Sequence, residues 1–190
     1  MFKDSISVEE LVELPLKSFE GDIVLVENLQ MVRIAVQYLN QFKVLGFDTE
    51  TKPAFKKGEF YKVALLQLAT EERAFLFRLQ KTGMPEELRQ LFSNPKIIKA
   101  GVAIRDDIKA LQELSGFKPA GFIELQNHAH DAGIQNVSLK KLCAITCGFR
   151  ISKSQQLSNW ESDEFTDLQM IYAATDAWVS LKIYQNLVVR

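Results

Sequence analysis

Cysteine, histidine and long apolar runs are scarce in this sequence of 190 residues. Its two cysteines, Cys143 and Cys147, stand four residues apart in a helical pattern, which indicates small core residues and no disulfide framework. No apolar run approaches the roughly 18 residues that a membrane-spanning helix needs, and the first residues carry no apolar signal segment. We therefore expect a cytoplasmic protein without membrane contact.

An excess of charge of either sign is also missing, since the net charge is −1. The molecule as a whole has no electrostatic attraction for polyanions, so any such binding requires a local basic patch or a bound metal ion. The two histidines lie in His128-Ala129-His130-Asp131, which resembles a fragment of a metal-hydrolase motif. No second group of ligands accompanies them, so we interpret the segment as a loop near a helix start, with Asp131 as a candidate cap.

What the sequence does contain is the balance of a globular protein, with 47% hydrophobic and 25% charged residues. No repeat, low-complexity tract or linker divides it. We expect an N-terminal extension with a short helix over residues 1–21 and one domain over residues 22–190. Apolar patterns predict strands at Ile23–Val26, Val44–Phe47, Val63–Ala69, Ala74–Phe77, Lys96–Gly101 and Phe122–Leu125.

Capping residues and apolar periodicity mark the helices. Ser7 and Glu10 form a capping-box pattern, and Asn28 precedes an apolar helical face. Further helices are predicted from Pro85 to Phe92 and over Ile104–Leu114, Leu139–Gly148 and Asp167–Val188. Strands that alternate with helices indicate the α/β class, here a mixed sheet of five to six strands flanked by helices.

Two acids follow the apolar run that ends at Phe47. Strand side chains alternate, so Asp48 and Glu50 point to the same side of the chain. Two like charges near a core repel each other, and a cation between them would reverse that penalty. The alternative is that the strand has ended and that both acids are solvated.

A third acid stands on the helix predicted over Ile104–Leu114. Asp107 lies roughly 45° from the middle of the apolar sector of this helix, and Asp106 lies roughly 145° from it. Asp106 is therefore an ordinary exposed acid, whereas Asp107 is at the edge of the buried face and needs a partner. A salt bridge to a nearby lysine is the alternative.

The last helix carries Tyr172 and Asp176, which share a face because they are four residues apart. A surface acid that is hydrogen-bonded to a tyrosine is the other interpretation. Taken together, four acids on a strand end and two helices are able to converge at the edge of the sheet. Hard oxygen ligands of this kind suit Mg²⁺ or Mn²⁺.

These motifs resemble the DEDD 3′→5′ exonucleases of the ribonuclease-H-like fold, within them the tyrosine-bearing subgroup of ribonuclease D and the Werner-type exonuclease domain. The likeness covers about residues 22–190 and is nearer to the Werner type. It rests on Gly46-Phe47-Asp48-Thr49-Glu50 with Lys62–Leu68, on Gly101–Ile104 leading to Asp107 and Leu111, and on Tyr172-Ala173-Ala174-Thr175-Asp176.

The resemblance implies hydrolysis of phosphodiester bonds from the 3′ end of a strand by two divalent cations, Mg²⁺ or Mn²⁺. It implies that Asp48 bridges both ions, that Glu50 and Asp176 hold the ion that activates water, and that Asp107 helps to hold the other. Tyr172 would orient the water. DNA is favoured over RNA on the Werner-type likeness, which also suggests DNA repair. A non-catalytic nucleic-acid-binding module on the same fold is the alternative function.

Basic and aromatic residues alternate after the first motif. Lys52, Lys56, Lys57 and Lys62 are interleaved with Phe55, Phe60 and Tyr61, which is the usual pattern of single-strand binding. A solvated basic loop with buried aromatic rings is the other interpretation. The candidate substrate-binding residues are Thr49, Thr51, Lys52, Lys56, Lys57, Arg150 and Lys153.

Overall fold

The computed structural model describes residues 2–188, in which six strands form one mixed sheet. The strands are β1 (Asp22–Val26), β2 (Val44–Thr51), β3 (Val63–Ala69), β4 (Arg73–Arg78), β5 (Ile98–Gly101) and β6 (Phe122–Glu124). Their order is β1-β4-β3-β2-β5-β6. β3 runs antiparallel to β2 and β4, whereas the β1–β4, β2–β5 and β5–β6 pairs are parallel. The predicted mixed sheet is confirmed.

Helices cover both faces of this sheet. They are α1 (Val8–Glu13), α2 (Leu29–Leu39), α3 (Leu79–Thr82), α4 (Glu86–Ser93), α5 (Arg105–Leu114), α6 (Leu125–Asp131), α7 (Leu139–Cys147) and α8 (Asp167–Leu187). The Ser7–Glu10 capping box is present, and Asn28 accepts a hydrogen bond from the Met31 amide at 2.9 Å. Within residues 2–188, no helix is both long and apolar enough to cross a membrane.

The two faces of the sheet have different packing. On one face, the large side chains of β2, β3 and β4 pack against α2, α4 and α5, with Phe47 in edge-to-face contact with Phe92. On the other face, α8 lies directly across the sheet with its alanines against it. A Cβ atom on Gly46 of β2 would lie 1.9 Å from the carbonyl oxygen of Ala177. Only glycine permits this approach, which fixes α8 against β2.

Two sequence predictions differ from the structure. β2 continues to Thr51, because its backbone pairs with β3 beyond Phe47 and matches Asp48 with Gln67. The polar side chains after Phe47 predict a strand end, but the backbone pairing with β3 decides where the strand stops. His128–Asp131 is not a loop but part of α6, and the cap of that helix is Glu124, not Asp131.

The N-terminal segment packs against α7 and α8. Phe19 is buried, its ring centre is 6.0 Å from that of Trp178, and its amide donates to Thr175 Oγ1 at 3.0 Å. Ile6 and Leu11 form a small apolar cluster with α7. The predicted extension is thus packed against the helix that carries Asp176.

A lysine is buried where β5 meets the α4–β5 loop. Lys99 has no exposed surface, and its ammonium group donates to the carbonyl oxygens of Leu91, Asn94, Ile97 and Ala120 at 2.6–3.2 Å. Burial lowers the pKa of Lys99 to about 8. The four carbonyls offset part of this cost, because buried acceptors need a donor.

Replacing Lys99 with Met should lower the free energy of unfolding by about 3 kcal/mol, since two buried and two partly buried carbonyls lose their donor. Urea unfolding followed by circular dichroism measures the change. The exposed Lys96→Met variant is the matched control and should stay within about 0.5 kcal/mol of the parent. Equal stability of the two variants would contradict this role for Lys99.

Candidate functional site

Three carboxylates meet where α8 crosses β2. Asp48 and Glu50 project from one side of β2, and Asp176 comes from α8; each offers an oxygen atom within 4.8 Å of the others. The alternation of side chains along the strand explains the first pair. The close contact of α8 with Gly46 explains the third member.

Burial and mutual repulsion make these groups hold their protons tightly. Burial, followed by the charges of Asp176 and Asp107, raises the pKa of Asp48 well above its usual value. Burial and the neighbouring carboxylates raise the pKa of Glu50 to about 10. Burial raises the pKa of Asp176 to about 7, although a hydrogen bond from Tyr172 and the charge of Lys153 oppose this. Within the described residues, no salt bridge joins any of the three to a lysine or arginine.

Asp107 lies beside this cluster on α5. Its Oδ1 atom accepts a hydrogen bond from Thr49 Oγ1 at 2.6 Å, so the residue between Asp48 and Glu50 ties α5 to β2. Burial raises the pKa of Asp107, against the effect of the Thr49 hydrogen bond. Asp106 is exposed and pairs with Lys109 at 3.2 Å. The helical periodicity of the sequence predicts an exposed Asp106 and an Asp107 at the edge of the buried face, as the structure has them.

Tyr172 is one turn before Asp176 on α8, so the two side chains share a face of the helix. Burial, followed by the charges of Asp176 and Glu50, raises the pKa of Tyr172. The phenol therefore stays protonated and acts as a hydrogen-bond donor. Its ring packs against Trp160, with ring centres 6.0 Å apart.

The acids open into a cleft of about 260 Å³. The cleft is lined by Asp48, Glu50, Tyr172 and Asp176 together with residues from α7 and the segment before α8, namely Ser138, Leu139, Lys140, Ile151, Ser152, Lys153 and Gln156. Of the predicted substrate-binding residues, Lys153 lines this cleft. Sequence reasoning missed Ser138 and Lys140, because a lysine in a Lys-Lys pair on a helix carries no signal that distinguishes it from a solvated one. Only the packing of α7 places it here.

The other predicted substrate-binding residues lie outside the cleft. Thr51 is exposed at the end of β2, and Lys56 and Lys57 are exposed in the segment that follows it. Lys52 is 3.5 Å from Glu161 and stacks over the Tyr61 ring at 4.6 Å.

Arg150 contacts the N-terminal segment, where its Nε atom donates to the carbonyl oxygen of Leu14 at 3.0 Å. Phe55 and Phe60 are 76% and 93% exposed, so these two rings are not buried as the alternative interpretation supposed.

Comparison with known proteins identifies the family. A family model described as a 3′-5′ exonuclease matches residues 23–190. The bifunctional 3′-5′ exonuclease/ATP-dependent helicase WRN of Mus musculus is 35% identical over 155 residues, which cover 78% of this chain and 11% of that protein. The exonuclease 3′-5′ domain-containing protein 2 of Drosophila melanogaster is 36% identical over 150 residues, 77% of this chain and 25% of that protein. The chain thus spans a quarter or less of these two relatives.

Solved structures give the same fold. The EXO domain of Aedes aegypti Nibbler has a TM-score of 0.81 at 23% identity, with 90% of each chain covered. Escherichia coli RNase D has a TM-score of 0.80 at 21% identity, covering 88% of this chain and 44% of that one. The sheet and its helices therefore form the ribonuclease-H-like fold. By the match of the family model over nearly the whole sequence, the chain belongs to the 3′-5′ exonuclease family of metal-dependent hydrolases.

Proposed function

We propose that the protein hydrolyses phosphodiester bonds one nucleotide at a time from a free 3′ end, with two divalent cations held by Asp48, Glu50, Asp107 and Asp176. The observation that carries the proposal is the convergence of three half-buried or buried carboxylates within 4.8 Å, with Asp107 beside them. Family membership sets the reaction class. The acids supply the ligands that this reaction needs.

The chemistry of the cleft fits Mg²⁺ or Mn²⁺. The donors that converge are carboxylate oxygens, which are the ligands that hard cations prefer. Burial, followed by the charges of the neighbouring carboxylates, raises the pKa values of Asp48 and Glu50, and a bound cation would stabilise their ionised forms. When bound, such cations supply positive charge for the transition state and make water a stronger acid.

Tyr172 and Lys153 have separate tasks in this proposal. The raised pKa keeps the Tyr172 phenol protonated near neutral pH, so it does not act as a general base and instead hydrogen-bonds to the attacking water and orients it. Lys153 lines the same cleft as the acids, where its ammonium group would contact a phosphate oxygen of the substrate. Both side chains position the substrate and the water, which is how a protein contributes most to phosphoryl transfer.

We further propose that the segment of residues 52–62 binds the unpaired strand. Lys56 and Lys57 are exposed next to the exposed rings of Phe55 and Phe60, at the end of the strand that carries Glu50. Lysines neutralise phosphates, while aromatic rings stack on unpaired bases. DNA is favoured as substrate because the identity to the helicase-linked exonuclease is 35%, against 27% to a ribonuclease D.

A 5′-labelled oligonucleotide tests the activity directly. With Mg²⁺ or Mn²⁺ the protein should produce a ladder of products that shorten by one nucleotide, and EDTA or the Asp48→Asn change should abolish it. Matched DNA and RNA strands in the same assay should show faster shortening of DNA. Binding without shortening by the parent protein would contradict the proposed activity.

Without bound metal ions, the carboxylate cluster should destabilise the folded protein as the pH rises. Folded-state pKa values above those of the unfolded chain mean that the folded acids hold protons longer. Stability in EDTA should therefore fall from about pH 4 through the pKa of Asp176, about 7, towards that of Glu50, about 10. Asp48→Asn should raise the free energy of unfolding at pH 8 by about 1.4 kcal/mol or more, the value of one pKa unit.

Thermal unfolding in EDTA and in Mn²⁺ measures this effect. Mn²⁺ should raise the melting temperature of the parent protein more than that of Asp48→Asn. The exposed Asp106→Asn variant removes the same charge outside the cluster and should change neither quantity. If Asp48→Asn and Asp106→Asn showed the same stability and the same response to Mn²⁺, the carboxylate cluster would not be the cause of the pH effect.

Tyr172→Phe should lower the single-turnover rate on the order of 10²-fold, as the loss of one transition-state hydrogen bond does in other enzymes. Oligonucleotide affinity should change little, because the ring that packs on Trp160 is retained. Tyr184→Phe makes the same change on the same helix outside the cleft and should leave the rate intact. A Tyr172→Phe variant as active as the parent would exclude tyrosine from the mechanism.

Changes in the segment of residues 52–62 should weaken substrate binding and leave the rate at saturation unaltered. Phe60→Ala should weaken single-strand affinity about fivefold or more, since stacking contributes roughly 1–3 kcal/mol per base.

The double variant Lys56→Gln with Lys57→Gln should reduce the slope of log affinity against log salt by about 1.4, because two phosphate contacts are lost. Fluorescence anisotropy measures both. The exposed Leu29 of α2 provides the control, and a Phe60→Ala affinity equal to that of Leu29→Ala would overturn the assignment.

A further inference from the structure

The turn between β5 and α5 has a backbone that must be held in place. Ala103 has a φ of 61°, and within residues 2–188 it is the one residue other than glycine in this region. Residues with a Cβ atom avoid that conformation for steric reasons. The turn also fits tightly, because a Cβ atom on Gly101 would lie 2.8 Å from the carbonyl oxygen of Phe47 on β2. A strained, closely packed turn persists only where neighbouring groups fix it.

Glu124 supplies the contacts that fix this turn. It is the last residue of β6, and the parallel register pairs it with Gly101. Its two carboxylate oxygens accept hydrogen bonds from the amides of Ala103 at 2.9 Å and Ile104 at 2.8 Å. The first of these oxygens also accepts from the Gln126 amide at 3.1 Å. One side chain thus binds the turn with both oxygens and caps α6.

The turn leads directly into the helix that carries Asp107. α5 begins at Arg105, and its N-cap residue Ile104 makes no hydrogen bond through its side chain. The Glu124 carboxylate therefore takes the place of a cap at an end where the helix dipole favours a negative charge. Asp107 is in the first turn of α5, where Thr49 fixes its carboxylate. A shift of the turn would move Asp107 relative to the acids of β2.

Glu124 itself is not part of the acid cluster. Among the described residues, the acids that are able to share one cation are Asp48, Glu50 and Asp176. Both oxygens of Glu124 are already engaged by backbone amides. Glu124 acts on Asp107 in two ways, because its charge adds to the burial that raises the pKa of that carboxyl, and its oxygens hold the turn that leads into α5.

We propose that Glu124 is a positioning residue of the exonuclease site, which sets the place of Asp107 by holding the strained Ala103–Ile104 turn. The inference rests on the proposed function of Asp107. Removing a group that supports a metal ligand typically lowers metal affinity or activity 10- to 100-fold.

Glu124→Gln replaces one carboxylate oxygen with an NH₂ group. That group cannot accept a hydrogen bond, so one of the two backbone amides of the turn loses its acceptor. We expect a 10- to 100-fold lower kcat, little change in KM, and weaker Mn²⁺ binding by calorimetry. Hydrogen exchange at the Ala103 and Ile104 amides should accelerate at least tenfold. Ala103→Gly relieves the strain, so adding it to Glu124→Gln should restore kcat and Mn²⁺ affinity at least threefold. Glu124→Asp keeps the charge and should retain more activity than Glu124→Gln. If Glu124→Gln does not fold, Glu124→Asp is compared with the parent protein in its place.

The matched control is Asn28→Ala, which removes the side-chain cap of α2, away from the turn that Glu124 holds. It should lower stability without altering kcat or Mn²⁺ affinity. Wild-type kcat and Mn²⁺ affinity in folded Glu124→Gln would overturn the proposal, as would a loss that Ala103→Gly does not relieve. If the parent protein shows no exonuclease activity, the proposed function fails, yet Mn²⁺ affinity and amide exchange still decide the role of Glu124.

Discussion

The contact of α8 with β2 is the constraint on which the site depends. Like charges at the ends of separate elements would normally move apart, because each half-buried carboxylate loses hydration and repels its neighbours. Here the backbone of α8 lies against Gly46, so Asp176 cannot withdraw from Asp48 and Glu50 without breaking the packing between helix and sheet. The pKa values of these acids are raised for this reason. The hydrophobic core supplies the stability that offsets the lost hydration and the repulsion.

The surrounding structure holds each acid from a different side. Small residues of α8, among them Ala173 and Ala177, are fully buried against the sheet, which allows the short distance between the two elements. The N-terminal segment binds the same helix, because the Phe19 amide donates to Thr175 next to Asp176. α5 is joined to β2 by the Thr49–Asp107 hydrogen bond. The geometry of the cleft is therefore shared among elements that are distant in sequence.

Much of this arrangement was predictable where local physics decides. The bounds of β3 and the caps Ser7 and Asn28 follow from apolar pattern and capping chemistry. The choice of Asp107 over Asp106 follows from helix periodicity alone. The errors arose where tertiary contacts override the local pattern: β2 runs through its acids because β3 pairs with them, and His128–Asp131 is helical because Ala129 packs in the core beside α8.

The sequence by itself determined the class of fold, the family motifs and the faces on which the acids lie, because alternation and helical periodicity are properties of neighbouring residues. Only the tertiary structure decided which polar residues meet. Lys140 lines the cleft because of the way α7 packs. Arg150 donates a hydrogen bond to the N-terminal segment, and Glu124 accepts hydrogen bonds from a turn some twenty residues earlier in the chain. These partners are chosen by the distance between elements in the folded chain, and no spacing along the sequence encodes that distance.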